Sequence, residues 1–78
     1  MSQKKGADPM SHEERYRSVR AELVRRGITN VELSKEAGVS KPYLFWVMRG
    51  ECKGYRVRRI IAARCGVPVE FLWPDTPV

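Results

Sequence analysis

Basic and aromatic side chains are interleaved in one stretch of this 78-residue chain. Residues 41–64 hold seven lysines and arginines against a single acid, Glu51, and so contribute +6. Residues 1–40 hold eight basic and six acidic residues, and residues 65–78 hold two acids and no base. Tyr43, Phe45 and Trp46 lie inside the basic stretch. Lysine and arginine side chains bind phosphates, and aromatic rings make apolar contacts beside them. Their combination in one stretch indicates a polyanionic partner.

The residues needed for other chemistries are missing from the sequence. His12 is the one histidine, and Cys52 and Cys65 form no C-x-x-C pair, whereas a zinc site needs about four ligands. No nucleophile is paired with a base, and no phosphate-binding glycine loop occurs. We therefore expect no enzyme activity, no metal and no cofactor. Without a secretion signal, two reduced thiols are expected.

Nothing in the sequence predicts a membrane segment or a secretory signal. No apolar run approaches 18 residues, and no signal-peptide core is present. The expected location is the cytoplasm, with no membrane partner. Residues 1–10 are polar and contain Gly6 and Pro9, which predicts a flexible N-terminal tail.

Capping signals divide the next part of the chain into short helices. Ser11 with Glu14 and Thr29 with Glu32 form two S/T-x-x-E capping boxes, each at the start of a predicted helix. Gly27 and Gly38 follow these helices as C-terminal stops. Val31, Leu33, Ser34 and Ala37 are expected to form the buried side of the second helix.

Three further helices are predicted after Gly38. Ser40 caps one that ends at Gly50, the segment YRVRRIIAARC forms another that ends at Gly66, and VEFLW forms a last short turn. Phe71 and Leu72 are expected to cover the core. The arginines of the YRVRRIIAARC helix, among them Arg58, Arg59 and Arg64, are expected to point outward, where each is either a partner contact or a plain solvated arginine. No segment alternates with period two. The prediction is an all-α, compact domain of four or five helices over residues 11–74, followed by a tail at 75–78.

The segment AGVS at residues 37–40 joins the second and third helices in a helix-turn-helix pattern. Ala37 is small where the helices cross, and Gly38 suits a turn with positive φ. Leu33, Leu44 and Val47 are positioned to hold the two helices at a fixed angle. The third helix would then project far enough to enter a DNA major groove.

ITNVELSKEAGVSKPYLFWVMRG resembles the helix-turn-helix of the Cro and phage-repressor (lambda-repressor-like) family. IIAARCGVPVEFL is similar to that family's fourth and fifth helices, and LSKEAG with LWP resembles the Ner-like phage regulators. The resemblance covers about residues 18–73. It implies four or five packed helices, DNA binding through the third helix, and a two-fold dimer on an operator.

The resemblance also implies roles for individual residues. Base edges would be faced by Lys41, Pro42 and Trp46, with Phe45 at the flank of that surface. Phosphates would be contacted by Asn30, Ser40, Tyr43, Arg49, Lys53, Tyr55 and Arg59, and Arg56 matches a position that reaches toward the minor groove. This sequence has Met48 where many members have Glu, and it has Pro42 and Trp46 where polar side chains commonly contact the bases. The base preferences of other family members therefore cannot be transferred to this chain.

Several of these residues have a second interpretation. A helical wheel puts Trp46 opposite Leu44 and Val47, where it either contacts DNA or fills a dimer interface. Phe45 is either a base contact or a partly buried support, and Tyr43 is either a phosphate ligand or a half-buried core residue.

Two functions from different classes remain in competition. The first is a sequence-specific transcriptional regulator, expected to be a repressor that binds an inverted repeat in double-stranded DNA as a homodimer. The second is an antitoxin or adaptor that holds a protein partner through the same aromatic surface. The basic stretch favours the first, because a module that binds only protein has no need of it.

Overall fold

Five α-helices make up the computed structural model, which describes residues 10–76. They span His12–Arg25 (α1), Asn30–Ala37 (α2), Lys41–Arg49 (α3), Tyr55–Cys65 (α4) and Val69–Leu72 (α5). No strand occurs within residues 10–76. The predicted all-α class and helix number are therefore confirmed. Residues 1–9 of the predicted N-terminal tail and residues 77–78 of the C-terminal tail lie outside the described residues.

Both predicted capping boxes form at the helix starts. The Glu14 backbone N–H donates to Ser11 Oγ (3.1 Å), and the Ser11 N–H donates to Glu14 Oε1 (3.0 Å). Thr29 and Glu32 make the same reciprocal pair at the start of α2. Each box satisfies N–H groups that have no partner inside the helix, and so fixes where the helix begins.

The connection between α2 and α3 is only three residues long. Gly38 has a φ of 70°, a left-handed conformation that glycine adopts without a steric penalty. Ser40 then caps α3, because its Oγ accepts the Tyr43 backbone N–H at 3.3 Å. Pro42 falls in the first turn, where a missing N–H costs little. The short turn places α2 and α3 in direct contact.

Helix α3 lies at the centre of the domain and packs against α1, α2 and α4. Its inner side, formed by Leu44, Val47 and Met48, is fully buried. The rest of the apolar core is buried around it: Val19, Leu23, Ile28, Leu33, Ala37, Val57, Ile61, Ala62, Cys65, Leu72 and Trp73. Because so many elements pack on α3, its orientation is fixed by the whole core.

Two residues expected to face inward do not. Val31 is exposed, since it lies two positions before Leu33 and so about 200° around α2 from it. Phe71 is 59% exposed, whereas its neighbour Leu72 is buried as predicted. A single helical turn buries one side only, and in α5 that side belongs to Leu72.

The prediction that Arg58 points outward into solvent is wrong, because its side chain is 0% exposed. Its Nη1 donates to Thr76 Oγ1 (2.8 Å) and lies 3.4 Å from Asp75 Oδ1. The guanidinium also lies over the rings of Tyr55 (5.5 Å) and Trp73 (5.4 Å). Asp75 and Thr76, the first residues of the predicted tail, are thereby held against α4.

None of the helices within residues 10–76 has the length and apolar character needed to cross a bilayer.

Candidate nucleic-acid interface

The outward side of α3 carries the side chains predicted to contact bases. Lys41, Pro42, Phe45 and Trp46 are all exposed, and Trp46 is 49% accessible. Leu44 and Val47 lie on the buried side of the same helix. Adjacent helical residues differ by about 100°, so burying Leu44 and Val47 turns Trp46 away from the core. The predicted position of Trp46 is confirmed.

Phe45 occupies the flank of that side, next to α1. Its ring lies 5.0 Å from the ring of Tyr16, measured between centroids, with 56° between the planes. Its exposure, 38%, matches a residue that supports its neighbours while keeping one edge in solvent. Tyr16 was not among the predicted site residues. Its contact with Phe45 spans 29 positions of sequence, and no local pattern in α1 signals it.

A groove of about 430 Å³ opens between the starts of α3 and α4. Its lining combines polar and apolar groups from both helices: Val39, Ser40, Tyr43, Gly54, Arg56 and Val57. Gly54 precedes the first turn of α4 and provides no side-chain cap, and the leading N–H groups of a helix have no partner inside the helix. The groove therefore offers backbone N–H, hydroxyl and guanidinium donors at the edge of the α3 face.

Gly54 keeps this groove open and lets α4 approach α3. Its φ is 44°, and a Cβ built there would lie 2.7 Å from Val47 Cγ2 and 3.1 Å from the Tyr43 hydroxyl. Any side chain at this position would meet both the core and the groove wall. Glycine is thus required here for backbone conformation and for space.

Tyr43 forms one wall of the groove and is half-buried. A hydrogen bond with the Cys52 side chain, assisted by burial, raises the pKa of the Tyr43 phenol above its ordinary value. The nearby Arg56 opposes this shift. The phenol therefore remains protonated at neutral pH and is available as a neutral hydrogen-bonding group.

Two of the predicted arginine contacts are already engaged within the domain. Arg56 Nη2 donates to the carbonyl oxygen of Ala37 (2.7 Å) and so ties α4 to the end of α2. Arg49 pairs with Glu51 through its Nε–H, and its guanidinium lies 5.4 Å from the Phe45 ring centroid. The Arg49 carbonyl accepts the Nδ1–H of His12 (2.9 Å). Both side chains are oriented by these contacts.

Three other predicted cations are unpaired. Lys41, Lys53 and Arg59 are exposed, and within residues 10–76 their side chains make no hydrogen bond or ion pair. Arg64 differs, since it pairs with Glu36 (2.5 Å) and lies 3.9 Å from Glu32. With Arg58 buried, the positive charge available to a partner comes from fewer residues than the sequence count implies.

Comparison of the chain with protein-family models, with curated proteins and with solved structures finds no match.

The remaining predicted phosphate contacts lie at helix starts. Asn30 opens α2 and is half-buried, and its Oδ1 is enclosed without a hydrogen-bond partner in the described structure. Tyr55 opens α4 and is half-buried beside Arg58. Of the predicted DNA contacts, Ser40, Tyr43 and Arg56 line the groove between α3 and α4. Arg49 lies elsewhere, on the side of α3 that carries Phe45.

Proposed function

We propose that this chain is a sequence-specific, double-stranded-DNA-binding transcriptional regulator, acting in the cytoplasm as a repressor. In this proposal α2 and α3 form a helix-turn-helix of the lambda-repressor type. The observation that carries the proposal is the exposed indole of Trp46, on the outward side of a helix whose other side is anchored in the core. The exposed ring of Phe45 is its neighbour in sequence, and exposed apolar patches on a soluble domain mark surfaces that bind a partner.

The dimensions of α3 support its insertion into DNA. An α-helix with its side chains is about 10–12 Å across, and the major groove of B-DNA, about 12 Å wide, admits a helix of that diameter. Lys41 and Trp46 would meet base edges, where an ammonium bonds guanine acceptors and an indole packs on the thymine methyl or donates through Nε1–H.

The groove between α3 and α4 supports a phosphate contact beside the inserted helix. Ser40, the Tyr43 hydroxyl and the open first turn of α4 supply hydrogen-bond donors there. Lys53 and Arg59 add charge without competing ion pairs. Such contacts set the register of a protein on DNA, while groove contacts read sequence.

Two copies are needed for the proposed activity. One helix reads only a few base pairs, so a genomic site requires a second copy on a half-site about one helical turn away. Because a homodimer is two-fold symmetric, the expected operator is an inverted repeat.

The exposed pair Phe45 and Trp46 also favours a second candidate, an antitoxin or adaptor that binds a protein partner. Apolar rings on a surface are typical of protein interfaces as well as of DNA contacts. The two candidates differ in what the cations do, because a protein-binding module would tolerate loss of Lys41 and Lys53.

Selection of bound sites from a random duplex library tests the proposal directly. We expect recovery of an inverted repeat, and footprinting should show both half-sites protected at saturation. The Lys41→Ala, Lys53→Ala double variant should lose this binding while keeping its melting temperature. If folded wild-type protein recovers no common sequence, the DNA proposal is wrong and the protein-binding candidate replaces it.

A further inference from the structure

The side chain of Arg49 is held on several sides at the C-terminal end of α3. Phe45, one turn earlier, places its ring 5.4 Å from the guanidinium carbon, within the range of a cation–π contact. Glu51 accepts the Nε–H through Oε2. The Tyr16 ring, 5.0 Å from that of Phe45, supports the stack from α1.

The Arg49 backbone is anchored at the same point. Its carbonyl oxygen accepts the Nδ1–H of His12, 2.9 Å away, at the first residue of α1. Side chain and main chain are therefore both attached to neighbouring elements. An arginine on a free helix end would instead distribute over many rotamers and lose that freedom on binding.

We infer that Phe45 and Glu51 are positioning residues that orient Arg49 to present its Nη1 and Nη2 donors to DNA. This inference rests on the proposed function. With Nε–H bound to Glu51, the two Nη groups form the remaining donor edge of the planar guanidinium. That edge fits a pair of adjacent acceptors, namely two phosphate oxygens or the N7 and O6 atoms of guanine.

Glu51 also weakens the binding of Arg49 to DNA that lacks the recognised sequence. The carboxylate neutralises the guanidinium, so a contact by Arg49 depends on correctly placed acceptors more than on attraction to any phosphate. Phe45 thus serves recognition through Arg49 and not as a base contact of its own. Phe45 and Trp46 are adjacent on α3, and the inference gives them different tasks: Phe45 orients Arg49, and Trp46 contacts DNA directly.

A double-mutant cycle on a duplex selected from random DNA tests the inference. Phe45→Leu should weaken binding to the selected duplex about two- to five-fold, the range for an exposed cation–π contact, and leave binding to a random duplex unchanged. In an Arg49→Ala background, Phe45→Leu should have no further effect. Phe45→Tyr, which keeps the ring, should restore wild-type binding. Glu51→Gln should strengthen binding to the random duplex and lower the specificity ratio.

Two arms identify the acceptors that Arg49 meets. If replacing a phosphate of the selected duplex by an uncharged methylphosphonate weakens wild-type binding but not Arg49→Ala binding, the acceptors are phosphate oxygens. If 7-deazaguanine in the selected duplex weakens wild-type binding but not Arg49→Ala binding, the acceptor pair is guanine N7 and O6. Thermal melts of each variant confirm that the fold is retained.

Additive losses from Phe45→Leu and Arg49→Ala would overturn the inference, because Phe45 would then contact DNA itself. Failure of Phe45→Tyr to restore binding would overturn it too. The proposed function would survive either result, since the wild-type protein would still bind its selected duplex. Only the absence of any selected duplex would remove both.

Discussion

Trp73 donates its indole Nε1–H to the backbone carbonyl oxygen of Val47, 3.1 Å away. Trp73 follows the last helix, and Val47 lies on the buried side of α3. The C-terminal segment therefore holds the helix that carries the candidate interface. The same indole lies against the guanidinium of Arg58, which in turn binds Thr76.

Trp73→Phe should destabilise the fold by about 2 kcal/mol, because a buried hydrogen bond and part of a buried ring are lost. The matched control is the chain's other tryptophan. Trp46→Phe should change stability by less than about 0.5 kcal/mol, since Trp46 is exposed. Urea unfolding followed by circular dichroism measures the stability of both variants. A Trp73→Phe variant as stable as the wild type would show that the Trp73 contact contributes nothing.

Arg58→Ala and Arg59→Ala should differ sharply although the residues are adjacent. The first leaves a cavity and removes the partner of Thr76, at a cost of about 3 kcal/mol. The second removes an exposed side chain and should alter stability by no more than about 0.5 kcal/mol. Paired thermal melts decide the matter, and similar losses in the two variants would contradict the structural role of Arg58.

Trp46→Ala should weaken specific DNA binding by about 1–3 kcal/mol, the range for one good base contact, and spare both fold and non-specific binding. Leu44→Ala, two residues away, should instead cost about 2–5 kcal/mol of folding stability. Binding to selected and random duplexes at matched salt, with melts of each variant, separates these effects. A change in oligomeric state alone in Trp46→Ala would assign the indole to a protein interface.

DNA affinity should fall with salt, with a log–log slope of about −3 to −4 per subunit, from the three unpaired cations and from Arg56, whose partner is a carbonyl and not a carboxylate. Lys53→Ala should flatten this slope by about one. Arg64→Ala should leave it unchanged, because Glu36 already neutralises that guanidinium at 2.5 Å. Titrations at several salt concentrations test this, and a slope near zero in the wild type would argue against a phosphate interface.

The two thiols should react at different rates with iodoacetamide. Burial raises the pKa of the Cys65 thiol, so at pH 8 the folded protein holds it as an enclosed, unreactive thiol. Cys52 is only half-buried and should be modified first. In urea the two rates should converge, which mass spectrometry of the peptides would show. Equal rates in the folded protein would contradict the burial of Cys65.

The same shift has a defined sign for stability. A thiol pKa raised by folding means that the unfolded chain ionises first, so stability is full below the ordinary thiol pKa of about 8.5 and declines as pH rises above it. Cys65→Ala should reduce this alkaline decline. An unchanged pH profile in that variant would assign the decline to other groups.

Local signals in the sequence were enough to determine where helices begin and end. Ser11 with Glu14 and Thr29 with Glu32 form their capping boxes within four residues of chain. Such contacts depend on neighbours in sequence and not on the rest of the fold. The exposed position of Trp46 was determined in the same way, because the buried residues Leu44 and Val47 of its own helix define the opposite side.

Only the tertiary structure decided which arginines remain free to act. Arg58 and Arg59 are adjacent arginines in the same helix, and no local pattern distinguishes them. Arg58 is nevertheless enclosed by Tyr55, Trp73 and Thr76, while Arg59 is exposed. The partners of Arg58 include residues up to 18 positions away, and the Tyr16 ring that supports Phe45 lies 29 positions from it. Contacts at such separations exist only once several helices have packed, because loop closure brings those residues together and no local propensity does. The sequence therefore determined the helices and the outward side of α3, whereas packing decided how much of the positive charge remains available to a partner.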